Sequence, residues 1–248
     1  MATEKPESLI TDGVRLDGRS AEEMRPLKII AGYLDKAEGS AYVECGGTKV
    51  IAACYGPREV HPRHLTLTTE TLVRARYDMA SFSVEGERKR PGPDRRSTEI
   101  SKVVSEALTS AVFVEKYPKT AIDVFIEVIS AEASTRVAGL TAASIALADA
   151  GIAMRDLVAA CSFGKIYGKE GGREVETVAV DMGKSEDNFG LADVALGYLP
   201  NLRKIVLLQM DGHLTVDEFR KGLPMGVSTC ESIYQQQLKA LKAKFKQY

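Results

Sequence analysis

Apolar and polar positions along this chain recur with two periods, and the switches between them mark out the elements. Apolar runs at Leu27 to Leu34, Ala41 to Cys45 and Lys49 to Tyr55 predict three strands, and Gly46-Gly47 between the last two is a hairpin signal, so the fold starts antiparallel. Leu72 to Met79 alternates strictly, with Arg74 and Arg76 on one face and Val73, Ala75, Tyr77 and Met79 on the other. The period then lengthens. Ile100, Val103, Val104, Ala107, Leu108, Ala111 and Val112 recur at i, i+3, i+4 and i+7, which predicts a helix with one buried face. Asp94 is its N-cap, which places Arg95 and Arg96 in the first turn.

Alternation returns over Thr120 to Ile129 and breaks at Ser130 into Ser-Ala-Glu-Ala-Ser-Thr-Arg. From Val137 to Ala150 the chain is apolar on nearly every side and rich in alanine, which predicts a central, closely packed helix ended by Gly151. Further strands are predicted at Leu157 to Phe163, Thr177 to Asp181, Val194 to Leu199 and Lys204 to Met210, with a turn at Gly168 to Gly172. Thr215 and Glu218 form a capping box for a last long helix, predicted to kink at Pro224. Strands in two groups with helices between them, without strict β-α alternation, imply an α+β fold with mixed β-sheets and packed helices. Residues 1–26 are polar, with turn signals at Asp12-Gly13 and Asp17-Gly18, and read as an arm before a single domain spanning 27–248.

Composition narrows the class. There is no apolar run of about 18 residues, and the opening Met-Ala-Thr-Glu-Lys-Pro-Glu lacks a basic-then-apolar pattern, so no membrane is expected and the location reads as cytoplasmic. Cys45, Cys54, Cys161 and Cys230 have no Cys-x-x-Cys spacing, which argues for buried thiols over a zinc site or a disulfide framework. The net charge of −1 provides no global field for nucleic acid, so such a function must rest on a local patch. One exists: Arg58 to Arg96 holds nine Lys or Arg against six Asp or Glu, leaving the remainder of the chain at −4. Within it, His61 and His64 lack a third ligand type nearby and read as part of a solvated basic loop with Arg58 and Arg63.

Three features carry candidate chemistry. Ser134, Thr135 and Arg136 sit where a strand feeds a helix start, whose first amides have no internal partner and carry the positive end of the helix dipole. Hydroxyls and a guanidinium there suit a phosphate, although Thr135 as a plain cap and Arg136 as a solvated residue fit this stretch equally well. Arg95 and Arg96 stand at the unfavourable end of another helix dipole, at a cost of about 0.3–1 kcal/mol each, which suggests an external anion. Finally, the stretch Gly183 to Asp193, between two strands, brings Glu186, Asp187 and Asp193 as carboxylates for proton transfer or a hard cation.

These residues also carry a resemblance. Arg15-Leu-Asp-Gly-Arg19, Gly39-Ser-Ala-Tyr-Val-Glu44, Tyr55-Gly-Pro57, the stretch Glu87 to Arg96, Thr120 to Phe125, Thr135-Arg136, Ala146 to Ile152, Met154 to Asp156, Glu186-Asp187 and Ala192-Asp193 resemble the RNase PH family. Within it they look most like the catalytic RNase PH-like subunit of the archaeal exosome. The resemblance implies phosphorolysis, in which inorganic phosphate attacks the 3′-terminal phosphodiester of single-stranded RNA and releases a nucleoside diphosphate. It implies that Ser134, Thr135 and Arg136 hold the phosphate, and that Arg95 and Arg96 grip RNA. Asp187 is then the general acid, and Asp193, with Asp187, binds Mg2+ or Mn2+. The resemblance also implies that Arg63 belongs to a pore neck; Arg74 and Arg76, paired on one face of their predicted strand, are read from that alternation as further RNA contacts, with a plain solvent-facing edge as the alternative. Implied partners are a second RNase PH-like exosome subunit, forming a hexameric ring of three heterodimers, and RNA-binding cap subunits. The same resemblance leaves two alternatives, a non-catalytic RNA-binding ring subunit and a homo-oligomeric RNase PH that trims tRNA. The chain departs from the pattern at Ser134, where relatives usually carry glycine, and near Thr68-Thr69-Glu70, where archaeal catalytic relatives often carry Pro-Asp-Arg.

Overall fold

The N-terminal segment is built into the fold and is not an arm leading up to it. In the computed structural model, which describes residues 5–85, 90 and 92–246, β1 (Ile10–Thr11) pairs with β2 (Val14–Arg15). It also runs parallel to a later strand, with Ile10 opposite Gly168. Leu9 and Ile10 are buried, and so are Arg15, Arg19 and Arg25, which polar composition alone does not anticipate.

The first sheet has the order β3-β4-β5-β7-β6, built from β3 (Leu27–Ala31), β4 (Gly39–Cys45), β5 (Thr48–Glu59), β6 (Leu72–Met79) and β7 (Thr120–Ser130). Its start is antiparallel around the Gly46-Gly47 turn, and only β6 and β7 run parallel. On edge strand β6 the amides of Ala75 and Tyr77 donate to the hydroxyls of Ser105 and Ser101, at 2.8 and 2.9 Å. Both serines lie on α1 (Arg95–Ala111), so a helix face satisfies the free edge of the sheet. Asp94 accepts from the Ser97 amide at 2.6 Å while the Ser97 hydroxyl accepts from the Asp94 amide, which makes the expected cap reciprocal.

The central helix α2 (Thr135–Asp149) packs its alanines and leucines against both sheets, with nearly every residue buried. The second sheet follows it: β8 (Ala159–Glu170), β9 (Arg173–Val180), β10 (Ala192–Leu199) and β11 (Lys204–Gly212), in the order β11-β10-β8-β1-β2 with β9 also paired to β8. β8 runs well past its predicted end, so the turn shrinks to Gly171-Gly172. A short helix α3 (Lys184–Phe189) stands where only a loop was expected, between β9 and β10. The last helix α4 (Val216–Phe245) passes through Pro224 as one continuous helix. It lies so close to β8 that a Cβ added at Gly222 would stand 2.6 Å from the Phe163 ring. The four cysteines are free and buried, as their spacing indicated. Among the described residues no helix is long and apolar enough to cross a membrane.

Candidate active site

The alternating apolar face of β7 pins that strand under α2, so the polar stretch after Ser130 must turn sharply to start the helix. Ser134 makes this turn in the left-handed region, at φ 56° and ψ 32°. Its side chain does not cap the helix. The hydroxyl lies 2.8 Å from the Ser162 hydroxyl on β8 and donates to the Met182 carbonyl at 3.1 Å. The first turn of α2 is thus left without a side-chain cap at the mouth of a cleft of about 590 Å³. Thr135 is buried and accepts from the Tyr77 hydroxyl at 2.8 Å. Of the expected hydroxyl donors, Ser134 has its proton committed inward, so the turn offers an anion its amides, the Thr135 hydroxyl and Arg136.

Arg136 lines the cleft, 3.8 Å from the Glu99 carboxylate, and its buried Nε has no hydrogen-bond partner among the described residues. Arg96 is exposed and lines the same cleft, whereas Arg95, also exposed, is not among the lining residues. One turn of helix separates Arg96 from Glu99, so α1 supplies both a cation with no ion-pair partner among the described residues and the acid beside Arg136.

Asp187 and Asp193 face this turn from the second sheet. α3 carries Asp187, and β10 presents Asp193 directly opposite Gly164 on β8 and Asp211 on β11. Burial raises the Asp187 carboxyl above its ordinary range, partly offset by Arg96, Arg25 and Arg136. For Asp193 burial acts first and the charge of Asp187 second, and together they push it up to about 7. The repulsion expected to raise Asp187 therefore falls on its neighbour. A neighbouring carboxylate charge disfavours ionisation of a buried acid, so both causes act on Asp193 in the same direction.

One oxygen of Asp193 is buried with no hydrogen-bond partner among the described residues, so a hard cation would satisfy it. Those residues contain no group of three or more His, Cys, Asp or Glu arranged to enclose a metal. The donor set suits Mg2+ all the same, since that ion commonly takes one or two carboxylates and completes its shell with water and substrate phosphate.

The remaining expected contacts lie elsewhere. Arg74 makes a two-pronged pair with Asp123 at 2.6 and 2.9 Å and donates to the His61 carbonyl, which fastens the basic loop to the sheet. Arg76 is exposed on the same outer face, and neither arginine lines the cleft. Arg63 pairs with Glu59, which lies opposite Thr120 at the far end of β7 from Ser130, ~33 Å of strand away. Residues 86–89 and 91, including Arg88 and Lys89 of the basic stretch, lie outside the described residues.

Sequence reasoning missed Ser162, Gln209 and Asp211, which line the cleft beside the residues it named. Ser162, Ala195 and Gln209 stand side by side across β8, β10 and β11, one row along from Gly164, Asp193 and Asp211. Gln209 donates to Glu99 at 3.0 Å and so continues the chain of contacts that ends at Arg136. Residues two apart on β11 share a face, but the strand must be paired before that face can be assigned to the cleft.

Two sheets around one central helix, with an uncapped helix start and Arg136 on one side of a cleft and a carboxylate pair on the other, define an α+β protein with a cleft whose charges suit a phosphate group. The chain belongs to the 3′ exoribonuclease family, the RNase PH fold: domain 1 of that family matches residues 23–153 and domain 2 matches residues 156–229. It is 56% identical over 243 residues to a Methanopyrus kandleri protein named Exosome complex component Rrp41, covering 98% of each chain. It is 54% identical over 245 residues to the Pyrococcus abyssi protein of the same name, covering 98% of this chain and 95% of that one. In fold it is similar to rice Rrp46 (TM-score 0.78, 20% identity, 92% and 100% of the two chains covered). A second similar fold comes from the Archaeoglobus fulgidus exosome with RNA bound to the active site (TM-score 0.74, 22% identity, 91% and 93% covered).

Proposed function

We propose that this chain is the catalytic subunit of an exosome ring and shortens single-stranded RNA from its 3′ end by phosphorolysis. The observation that carries this reading is the cleft itself. An uncapped helix start with Arg136, the exposed cation Arg96, and the carboxylates Asp187 and Asp193 all open into one space. The family supplies the 3′ exoribonuclease activity, and the curated relatives supply the exosome.

Bringing inorganic phosphate against an RNA phosphodiester costs about 1 kcal/mol per pair of unit charges at 4 Å in water, and several at an effective dielectric near 20. The α2 amides and Arg136 hold the attacking phosphate, and Arg96 holds the RNA phosphate. A phosphate oxygen forms a new bond to the terminal phosphorus as the bond from that phosphorus to the 3′ oxygen of the penultimate nucleotide breaks. Asp187, whose carboxyl burial raises above its ordinary range, is the acid that gives a proton to that departing oxygen. The products are a nucleoside diphosphate and RNA one residue shorter. A phosphate ester has been exchanged for an anhydride of similar energy, so excess diphosphate drives the same site to extend RNA.

A divalent cation, Mg2+ or Mn2+, held by Asp193 with Asp187, would neutralise charge on the reacting phosphates. The implied partners are a second RNase PH-like exosome subunit, alternating with this one in a hexameric ring, and RNA-binding cap subunits. The surplus of three positive charges in the basic stretch is small for gripping a strand unaided, which supports a partner that completes the RNA path. The test is single-stranded RNA with magnesium, with and without phosphate, for the chain alone and with its ring partner. Diphosphates that appear only with phosphate are the expected result; monophosphates, or no product from the assembled ring, would overturn it.

A further inference from the structure

The N-terminal segment contains three buried arginines that the reaction above does not use. Arg15 spends every one of its N–H groups. Its Nε donates to Glu186 Oε1 at 2.6 Å and its Nη2 to Glu186 Oε2 and the Asp181 carbonyl. Its Nη1 donates to the carbonyls of Val180 and Glu23. Glu186 is itself buried and takes the Gly183 amide at 2.6 Å, which closes the first turn of α3. The next residue is Asp187. The fork of Arg15 therefore grips the one helical turn that aims the acid.

Arg25 makes the complementary connection. Its Nε and Nη2 donate to the two oxygens of Asp181 at 2.9 and 2.7 Å, and its Nη1 reaches Glu132 at 3.3 Å. Asp181 closes β9 just before α3, and Glu132 lies two residues before Ser134 in the anion turn. Burial alone would raise the Asp181 carboxyl, but the hydrogen bonds and charge of Arg25, with Arg19, hold it below its usual range. The ion pair therefore stays charged where it joins the two sides of the cleft. Arg19 fills the space between, bonded to Asp17 and to the Asp181 and Glu23 carbonyls.

We propose that Arg15 and Arg25 are positioning residues for phosphorolysis: Arg15, acting through Glu186, fixes the helix that aims Asp187, and Arg25 holds that helix's base against the turn that binds phosphate. The inference rests on the reading of Asp187 as the acid, so Asp187→Asn is measured alongside.

A planar fork cannot be replaced by an ammonium. In the full chain, in its active assembly, Arg15→Lys and the isosteric Glu186→Gln should each lower kcat by about 10²-fold while leaving the KM for phosphate within about threefold. Arg25→Lys should instead raise the KM for phosphate. A purely structural role would lower the amount of folded enzyme without lowering kcat per folded enzyme.

The proposal is overturned if Arg15→Lys or Glu186→Gln folds and keeps the wild-type kcat while Asp187→Asn is inactive. If Asp187→Asn is itself as active as wild type, the acid reading fails instead. Hydrogen exchange on the unaltered chain decides the matter even where a variant does not fold: the amides of Asp187 and Gly190, which donate to the Gly183 and Glu186 carbonyls, should be protected to the level of β8 and β10, and rapid exchange confined to them would sink the idea.

Discussion

The hydroxyls of Ser134 and Ser162 meet at 2.8 Å beneath the candidate phosphate turn, joining the start of α2 to β8. The left-handed φ of 56° at Ser134 is a backbone conformation that glycine adopts without strain and serine does not. Serine is tolerated because its hydroxyl gains partners in Ser162 and the Met182 carbonyl. Two hydrogen bonds at about 1 kcal/mol each are comparable with a left-handed penalty of about 1–2 kcal/mol.

From that balance, Ser134→Gly should change stability by less than about 1 kcal/mol, since it loses the hydroxyl and the strain together. Ser134→Ala keeps the strain and loses the bonds, and should be destabilised by about 1–2 kcal/mol in urea unfolding. Neither should raise the KM for phosphate more than about threefold, because backbone amides do the binding. A Ser134→Gly variant as unstable as Ser134→Ala would contradict this account.

The Asp187–Asp193 pair makes stability depend on pH. Asp193 has a folded pKa of about 7 against an ordinary 3.8, so without a cation the folded state binds the extra proton between those values. Stability then falls as pH rises through that window, by a few kcal/mol at most. Added Mg2+ should raise the melting temperature more at pH 8 than at pH 5.5, and Asp193→Asn should remove that difference. Equal magnesium effects at the two pH values in the unaltered chain would count against a cation on Asp193.

The two neighbouring arginines at the start of α1 should behave differently. Arg96 lines the cleft and Arg95 does not, so Arg96→Ala should weaken RNA binding by about tenfold or more at low salt. Arg95→Ala should weaken it by less than about threefold, a loss of the size expected for an exposed charge. Filter-binding titrations with a short single-stranded RNA separate the two.

Arg74 should behave as a strut. Arg74→Ala removes a two-pronged, partly buried pair with Asp123 and frees the loop at His61, which should cost about 1.5–3 kcal/mol of stability. Its kcat on a short RNA at 25 °C should stay within about twofold of the unaltered chain, measured beside the melting curve.

The elements themselves were legible because periodicity is local. Alternation in β6 and β7, the amphipathic stripe of α1 and the all-round apolar α2 each follow from residues a few positions apart. So did the Asp94 cap and the candidate anion turn, since a helix start announces itself in its own first residues. α3 was not legible, because six residues are too few to establish a period and its shape depends on Glu186 closing on Gly183 beneath Arg15.

What the tertiary structure alone decided is which charges are free. Arg95 and Arg96 are adjacent and identical in sequence terms, as Arg74 and Arg76 are alternate members of one strand face. Only pairing across strands turned Arg74 toward Asp123, and only the packing of α1 put Arg96 in the cleft. The same holds for the first 26 residues. Their polar composition describes a segment in water, but the carboxylates of Asp181 and Glu186 lie more than 150 positions away, and an arginine reads as buried only once folding has brought its partner to it.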